Sequence, residues 1–129
     1  MVSPNLGQLG EEFTAQWLKR QGWEIIASRW RCRWGELDLV AYQSDLIFVE
    51  VKTRQSNNWD ENGLLAITPQ KQAKLYRAAE MFLSHYPAYS HVNCRFDLAL
   101  VKAQKVSNFD RGENSYELTL VSYLKGIFE

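Results

Sequence analysis

The sequence predicts an α/β domain with a mixed sheet flanked by helices. Two stretches place apolar residues at helical spacing, five others are rich in branched and aromatic residues, and they interleave in the order α-β-β-β-α-β-β. At 129 residues the chain suits one domain, 1–129, with enough length to bury a core.

Each element has its own signal. Ser3-Pro4 can open the first helix, because proline is accepted in a first turn, and Leu6, Leu9, Phe13 and Trp17 follow at helical spacing. Gln21-Gly22 ends it, since glycine suits a helix terminus. "WEIIASRWRCRW", residues 23–34, reads as an amphipathic strand. "ELDLVAY" and "LIFVEVKT" are two more, and the short "QSD" between them predicts a hairpin. Residues 55–66 read as an irregular loop, with Trp59 among polar neighbours. Thr68-Pro69 makes an N-cap and first-turn pair for a second helix, whose stripe of Leu75, Ala78, Ala79 and Phe82 runs to about Ser84 before Pro87 closes it. "VNCRFDLALVK" and "YELTLVSYL" supply the last two strands.

Composition excludes several classes. Hydrophobic residues make up 46% and charged residues 23%, close to globular averages and far from those of disordered chains. Apolar runs such as "LIFV" are far shorter than the roughly 20 residues of a membrane span. The N-terminus lacks the basic start and apolar core of a secretory signal, so a cytoplasmic location is expected. Cys32 and Cys94 follow no metal or redox spacing, and two histidines are too few for a histidine-based zinc site. Fifteen basic residues balance fifteen acidic ones, so no global field advertises nucleic acid. A local basic face is still allowed by Lys19, Arg20, Arg29, Arg31 and Arg33.

The hairpin carries the chemistry. If Gln43, Ser44 and Asp45 form its turn, Tyr42 faces Leu46, Val40 faces Phe48, Asp38 faces Glu50 and Glu36 faces Lys52. Alternation then puts Glu36, Asp38, Val40 and Tyr42 on one face of their strand, and Leu46, Phe48, Glu50 and Lys52 on one face of the next. Opposed carboxylates repel, and either Lys52 and Arg54 neutralise them or a divalent cation binds between them. A two-residue turn would send the two acids to opposite faces. Two carboxylates on rigid strands suit magnesium, and Lys52 beside them can serve a water nucleophile or stabilise charge at phosphorus. These are parts for metal-assisted phosphodiester hydrolysis.

An acid on one strand with acid-x-lysine on the next, here Asp38 and Glu50-Val51-Lys52, resembles the signature of the PD-(D/E)XK nuclease superfamily. The blocks "GQLGEEFTAQWLKRQGW", "RCRWGELDLVA", "FVEVKTR", "AITPQKQAKL" and "RFDLALV", across about residues 6–101, are similar to those of its YraN-like bacterial family (UPF0102), of largely uncharacterised function. The resemblance implies a restriction-endonuclease-like core, α-β-β-β-α-β. It also implies a further acid from the first helix, matching Glu11, as in Holliday-junction resolvases, and by the same analogy it admits a homodimer. Leu37 stands where the superfamily's nominal motif has proline.

The resulting expectation is a Mg2+- or Mn2+-dependent DNA endonuclease, acting on branched or otherwise unusual DNA. Asp38, Glu50, Lys52 and Glu11 would be catalytic, and Asp38, Glu50 and the Val51 carbonyl would bind metal. Arg29, Arg31 and Arg33 would share one strand face toward phosphates, with Trp30, Cys32 and Trp34 packed behind. Arg54 and Lys71, the latter near a helix N-terminus, would add contacts to nucleic acid. The competing expectation is a non-catalytic nucleic-acid-binding module on the same scaffold, and a third is an assembly partner with relict acids. Arg95 and Asp97 share a strand face and are expected to pair.

Overall fold

A computed structural model describes residues 5–55, 67–108 and 113–128. The order is α1 (Leu6–Arg20), β1 (Glu24–Cys32), β2 (Gly35–Tyr42), β3 (Leu46–Arg54), α2 (Pro69–His85), a short 3₁₀ turn (Pro87–Tyr89), β4 (Cys94–Asn108) and β5 (Glu113–Leu124). The five strands form one mixed sheet in sequence order, antiparallel throughout except where β3 and β4 run parallel. This agrees with a restriction-endonuclease-like α-β-β-β-α-β core to which β5 adds an edge.

The helix starts follow from capping. Asn5, rather than Ser3-Pro4, caps α1, accepting from the Gln8 N–H at 3.1 Å; Ser3 and Pro4 lie outside the described residues. Gly22, at φ 94°, turns the chain out of the helix. Thr68 caps α2 by accepting from the Lys71 N–H at 3.2 Å, with Pro69 in the first turn. Trp59 and the rest of residues 56–66 lie outside the described residues.

Each helix covers one sheet face. Ala15 and Leu18 of α1 pack with Leu39, Ala41, Ile47, Val49, Val51, Ala99 and Val101. Leu75, Ala78, Ala79 and Phe82 of α2 pack with Leu37, Val40, Leu46, Phe48 and Phe96. The parallel pair is therefore buried on both sides, which explains the unbroken apolar runs "LIFV" and "LALV". Gly10 sets how closely α1 approaches, since a Cβ there would overlap Thr53 Oγ1 of β3 and lie 3.0 Å from its Cβ. Among the described residues, no helix is long and apolar enough to cross a membrane.

The β2–β3 hairpin has the three-residue turn and the register expected, with Tyr42 opposite Leu46, Val40 opposite Phe48 and Leu39 opposite Val49. The expected alternation, however, fails once. Leu37 and Leu39, two apart on β2, join opposite core layers, so the strand breaks step at Asp38. Across the β1–β2 ladder the matching position is Arg29, and neither Arg29 nor Asp38 is paired between Ser28–Leu39 and Trp30–Leu37. Both strands depart together and the register resumes unchanged.

Candidate active site

Backbone pairing of β2 with β3 ends at Leu39–Val49, and side chains take over beyond it. The Val51 N–H donates to Asp38 Oδ2 at 2.9 Å, and the Asp38 N–H reaches Glu50 Oε2 at 3.5 Å. The two acids thus occupy the fork of the hairpin, tied to its backbone. Lys52 follows on the α2 side, half-buried, beside a cavity of about 250 Å³ that Glu50 also lines.

Arg29 closes the fork from β1. Its φ of 52° makes it the one non-glycine residue at positive φ among those described, a conformation that costs about 1 kcal/mol. Its Nε lies 3.4 Å from Glu11 Oε1 and 3.6 Å from Glu36 Oε1. Glu36 Oε2 also accepts from Arg31 Nε at 2.8 Å. Glu11 arrives from the buried face of α1, one residue after the close approach at Gly10.

These groups shift one another. Loss of hydration raises Glu11 to about 7, with the charge of Asp38 adding to it and Arg29 opposing. Glu50 is pushed up to about 8, again by burial first and Asp38 second. Burial also raises Asp38, against the lowering effect of its bond from Val51. Lys52 is held below the usual lysine range by burial and by the charge of Lys71, while Glu50 and Asp38 pull the other way. A group of acids that resists ionisation beside a lysine that sheds its proton early has too little positive charge within reach.

One oxygen each of Glu11, Glu36 and Asp38 lies within 4.8 Å of the others. Carboxylates on strands and a helix are the donors that hard divalent cations take. Glu11 Oε1 and Arg29 Nε are both buried without a hydrogen bond, despite their 3.4 Å ion-pair separation. The residues present fit a divalent cation.

The structure therefore gathers Glu11, Asp38, Glu50, Val51 and Lys52 at one place. Arg29 turns into the acids, Arg31 pairs with Glu36 on the surface, and Arg33 lies in the β1–β2 turn with its guanidinium 4.9 Å from the Trp34 ring. Arg29 and Arg31 thus meet on the carboxylate of Glu36, while Arg33 lies beyond the strand. Glu36, expected opposite Lys52, lines the same cavity as Lys52 and also joins Glu11 and Asp38. Its two-residue spacing from Asp38 is the signal in the sequence, and Arg29, a residue of the neighbouring strand, is the partner that local spacing does not reveal. Arg54 lies exposed at the end of β3 and Lys71 in the first turn of α2. Arg95 pairs with Asp97 as expected, at 3.0 Å.

The model of the uncharacterised protein family UPF0102 matches residues 10–101. A UPF0102 protein of Synechococcus sp. (strain JA-3-3Ab) is 50% identical over 126 residues, covering 97% of this chain and 92% of its own. One from Nostoc sp. (strain PCC 7120) is 44% identical over 132 residues, covering 97% and 94%. Another from Synechocystis sp. (strain PCC 6803) is 46% identical over 114 residues, covering 86% and 75%. The family match includes every acid of the site, and the chain belongs to the uncharacterised protein family UPF0102.

Proposed function

We propose that this protein is a metal-dependent endonuclease that hydrolyses phosphodiester bonds in DNA, on the pattern of the PD-(D/E)XK nucleases. The observation that carries the reading is the fork itself, where Asp38 and Glu50 replace the strand ladder with Lys52 beside them. A purely structural ion-pair network would place cations against these acids, yet their protons are held more tightly than usual.

Asp38, Glu50 and the Val51 carbonyl would hold Mg2+ or Mn2+, with Glu11 and Glu36 close enough to Asp38 to assist. The cation would polarise a phosphoryl oxygen and make water a better nucleophile near neutral pH. Asp38 is fixed for this by the Val51 N–H. Lys52, depleted in proton affinity, can take a proton from water or place a positive charge on the phosphoryl oxygens. Lys71, whose charge reaches Lys52 from α2, extends that field toward the neighbouring phosphate. The competing reading as a metal-independent binding module drew on Arg29, Arg31 and Arg33, and it loses Arg29 to the acids.

The test is cleavage of a panel of single-stranded, duplex, flapped and four-way DNA with Mg2+ or Mn2+. Wild-type protein should cut at least one substrate and stop in EDTA. Asp38→Asn should abolish cutting, and Lys52→Met should lower kcat by about 100-fold or more. Activity that persists in both variants would overturn the reading.

A further inference from the structure

The cavity of about 250 Å³ on the α2 side of the fork has a composition that phosphate binding alone does not explain. Its floor is apolar, made by Ile67, Leu75 and Ala78, and the half-buried Trp34 forms one wall. Lys52, Lys71 and Lys74 also line it, with Glu36 and Glu50 on the side of the fork. Among the described residues, none of these lysines has a carboxylate within ion-pair distance. The guanidinium of Arg77 of α2 lies over the Trp34 ring at 4.6 Å and that of Arg33 at 4.9 Å, so the wall itself carries positive charge.

Three lysines would suffice for a backbone phosphate, which is hydrophilic on every side. An apolar floor with an indole wall is complementary to something flat and weakly hydrated, attached to something anionic. In a duplex the base faces are covered by stacking and only edges, sugars and phosphates are exposed, so no flat apolar face could enter such a cavity. A base reaches an apolar floor only once it is unstacked and unpaired.

We infer that this cavity receives one unpaired nucleotide of DNA, its base against Trp34 and the floor of Leu75 and Ala78, its phosphate at Lys71 and Lys74. The choice of DNA rests on the nuclease reading above, and the inference adds the class of substrate: a strand that is single or locally opened beside the cleaved bond. The pocket adjoins Glu50 and Lys52, so an extruded nucleotide there would deliver the adjoining phosphate to the fork.

The test reads binding by fluorescence anisotropy in EDTA, where no cleavage occurs. The probes are a labelled single-stranded thymidine oligonucleotide, the same length of abasic backbone, and a blunt duplex. Wild-type protein should bind the thymidine strand about tenfold more tightly than the abasic one, with the duplex no better than abasic. Trp34→Ala should erase the difference between base-bearing and abasic strands, and Lys74→Ala should weaken both alike. If Trp34→Ala loses its far-ultraviolet circular dichroism, Trp34→Leu keeps the apolar contact with α2 and serves instead. Equal wild-type affinity for the two strands, or a preference that survives a folded Trp34 variant, overturns the inference. That outcome would leave metal-dependent cutting intact, whereas a preserved preference without any cutting would remove the nuclease reading and keep the pocket.

Discussion

Glu11 and Glu50 retain their protons to about pH 7 and 8, well above the usual glutamate value of about 4.5, because the fold gives their charged forms too little hydration. The unfolded chain releases those protons near 4.5, so between there and about 8 the native state binds more protons than the unfolded one. Stability contributed by these groups is therefore present at low pH and lost as pH rises through that window. Thermal unfolding in EDTA should accordingly show a Tm that falls from about pH 5 to about pH 8, and Glu50→Gln should flatten the slope. Added Mg2+ should raise Tm most at the alkaline end, where the acids it would bind are ionised. A pH-independent Tm would show that the acids are better solvated than their burial implies.

At the scale of the element, α1 and β3 are fitted to one another at a single glycine. Helix propensity alone predicts that Gly10→Ala stabilises by about 1 kcal/mol. The overlap of the new methyl with Thr53 reverses the sign, and a loss of about 1–3 kcal/mol is expected. Urea denaturation measures it, and Thr53→Gly in the same chain should return much of the loss. Because Glu11 follows Gly10, the proposed cleavage activity should fall in the single variant by more than its stability change alone accounts for. The hairpin was legible beforehand because a three-residue turn and alternating apolar residues fix register from neighbouring sequence. The step at Asp38 was not. It depends on Arg29 entering the left-handed region one strand away and on acids arriving from α1, and no local pattern encodes either event.

For the whole molecule, Asp97 is a buried acid outside the fork, fully enclosed, with both carboxylate oxygens hydrogen-bonded. It accepts from Arg95 Nε at 3.0 Å, the Tyr123 hydroxyl at 2.6 Å and the Gly126 N–H at 3.0 Å, joining β4, β5 and the segment after β5. Asp97→Ala should cost about 3 kcal/mol, read as a lower urea midpoint, by stranding those donors. A change within 0.5 kcal/mol would show that solvent or rearrangement satisfies them. The sequence reading anticipated only the Arg95 pairing, since Tyr123 and Gly126 lie 26 and 29 residues away. Across the chain, elements and the acid pair were readable because they rest on short-range periodicity. Glu36, the diverted Arg29 and the cavity at Trp34 were hidden because each is made by segments distant in sequence.

The lone parallel junction has a kinetic consequence. The meander β1–β2–β3 and the ribbon β4–β5 each close through neighbouring strands, but β3 meets β4 only after residues 55–93 have been looped across with α2. Closing that loop carries the larger entropy cost, so docking of the two halves is expected as the late step of folding. On that order the carboxylates of Asp38 and Glu50 would become neighbours as the meander forms. α2, with Lys71 and Lys74, arrives with the slow step, so an incompletely folded chain would hold the acids together before it had the cationic wall.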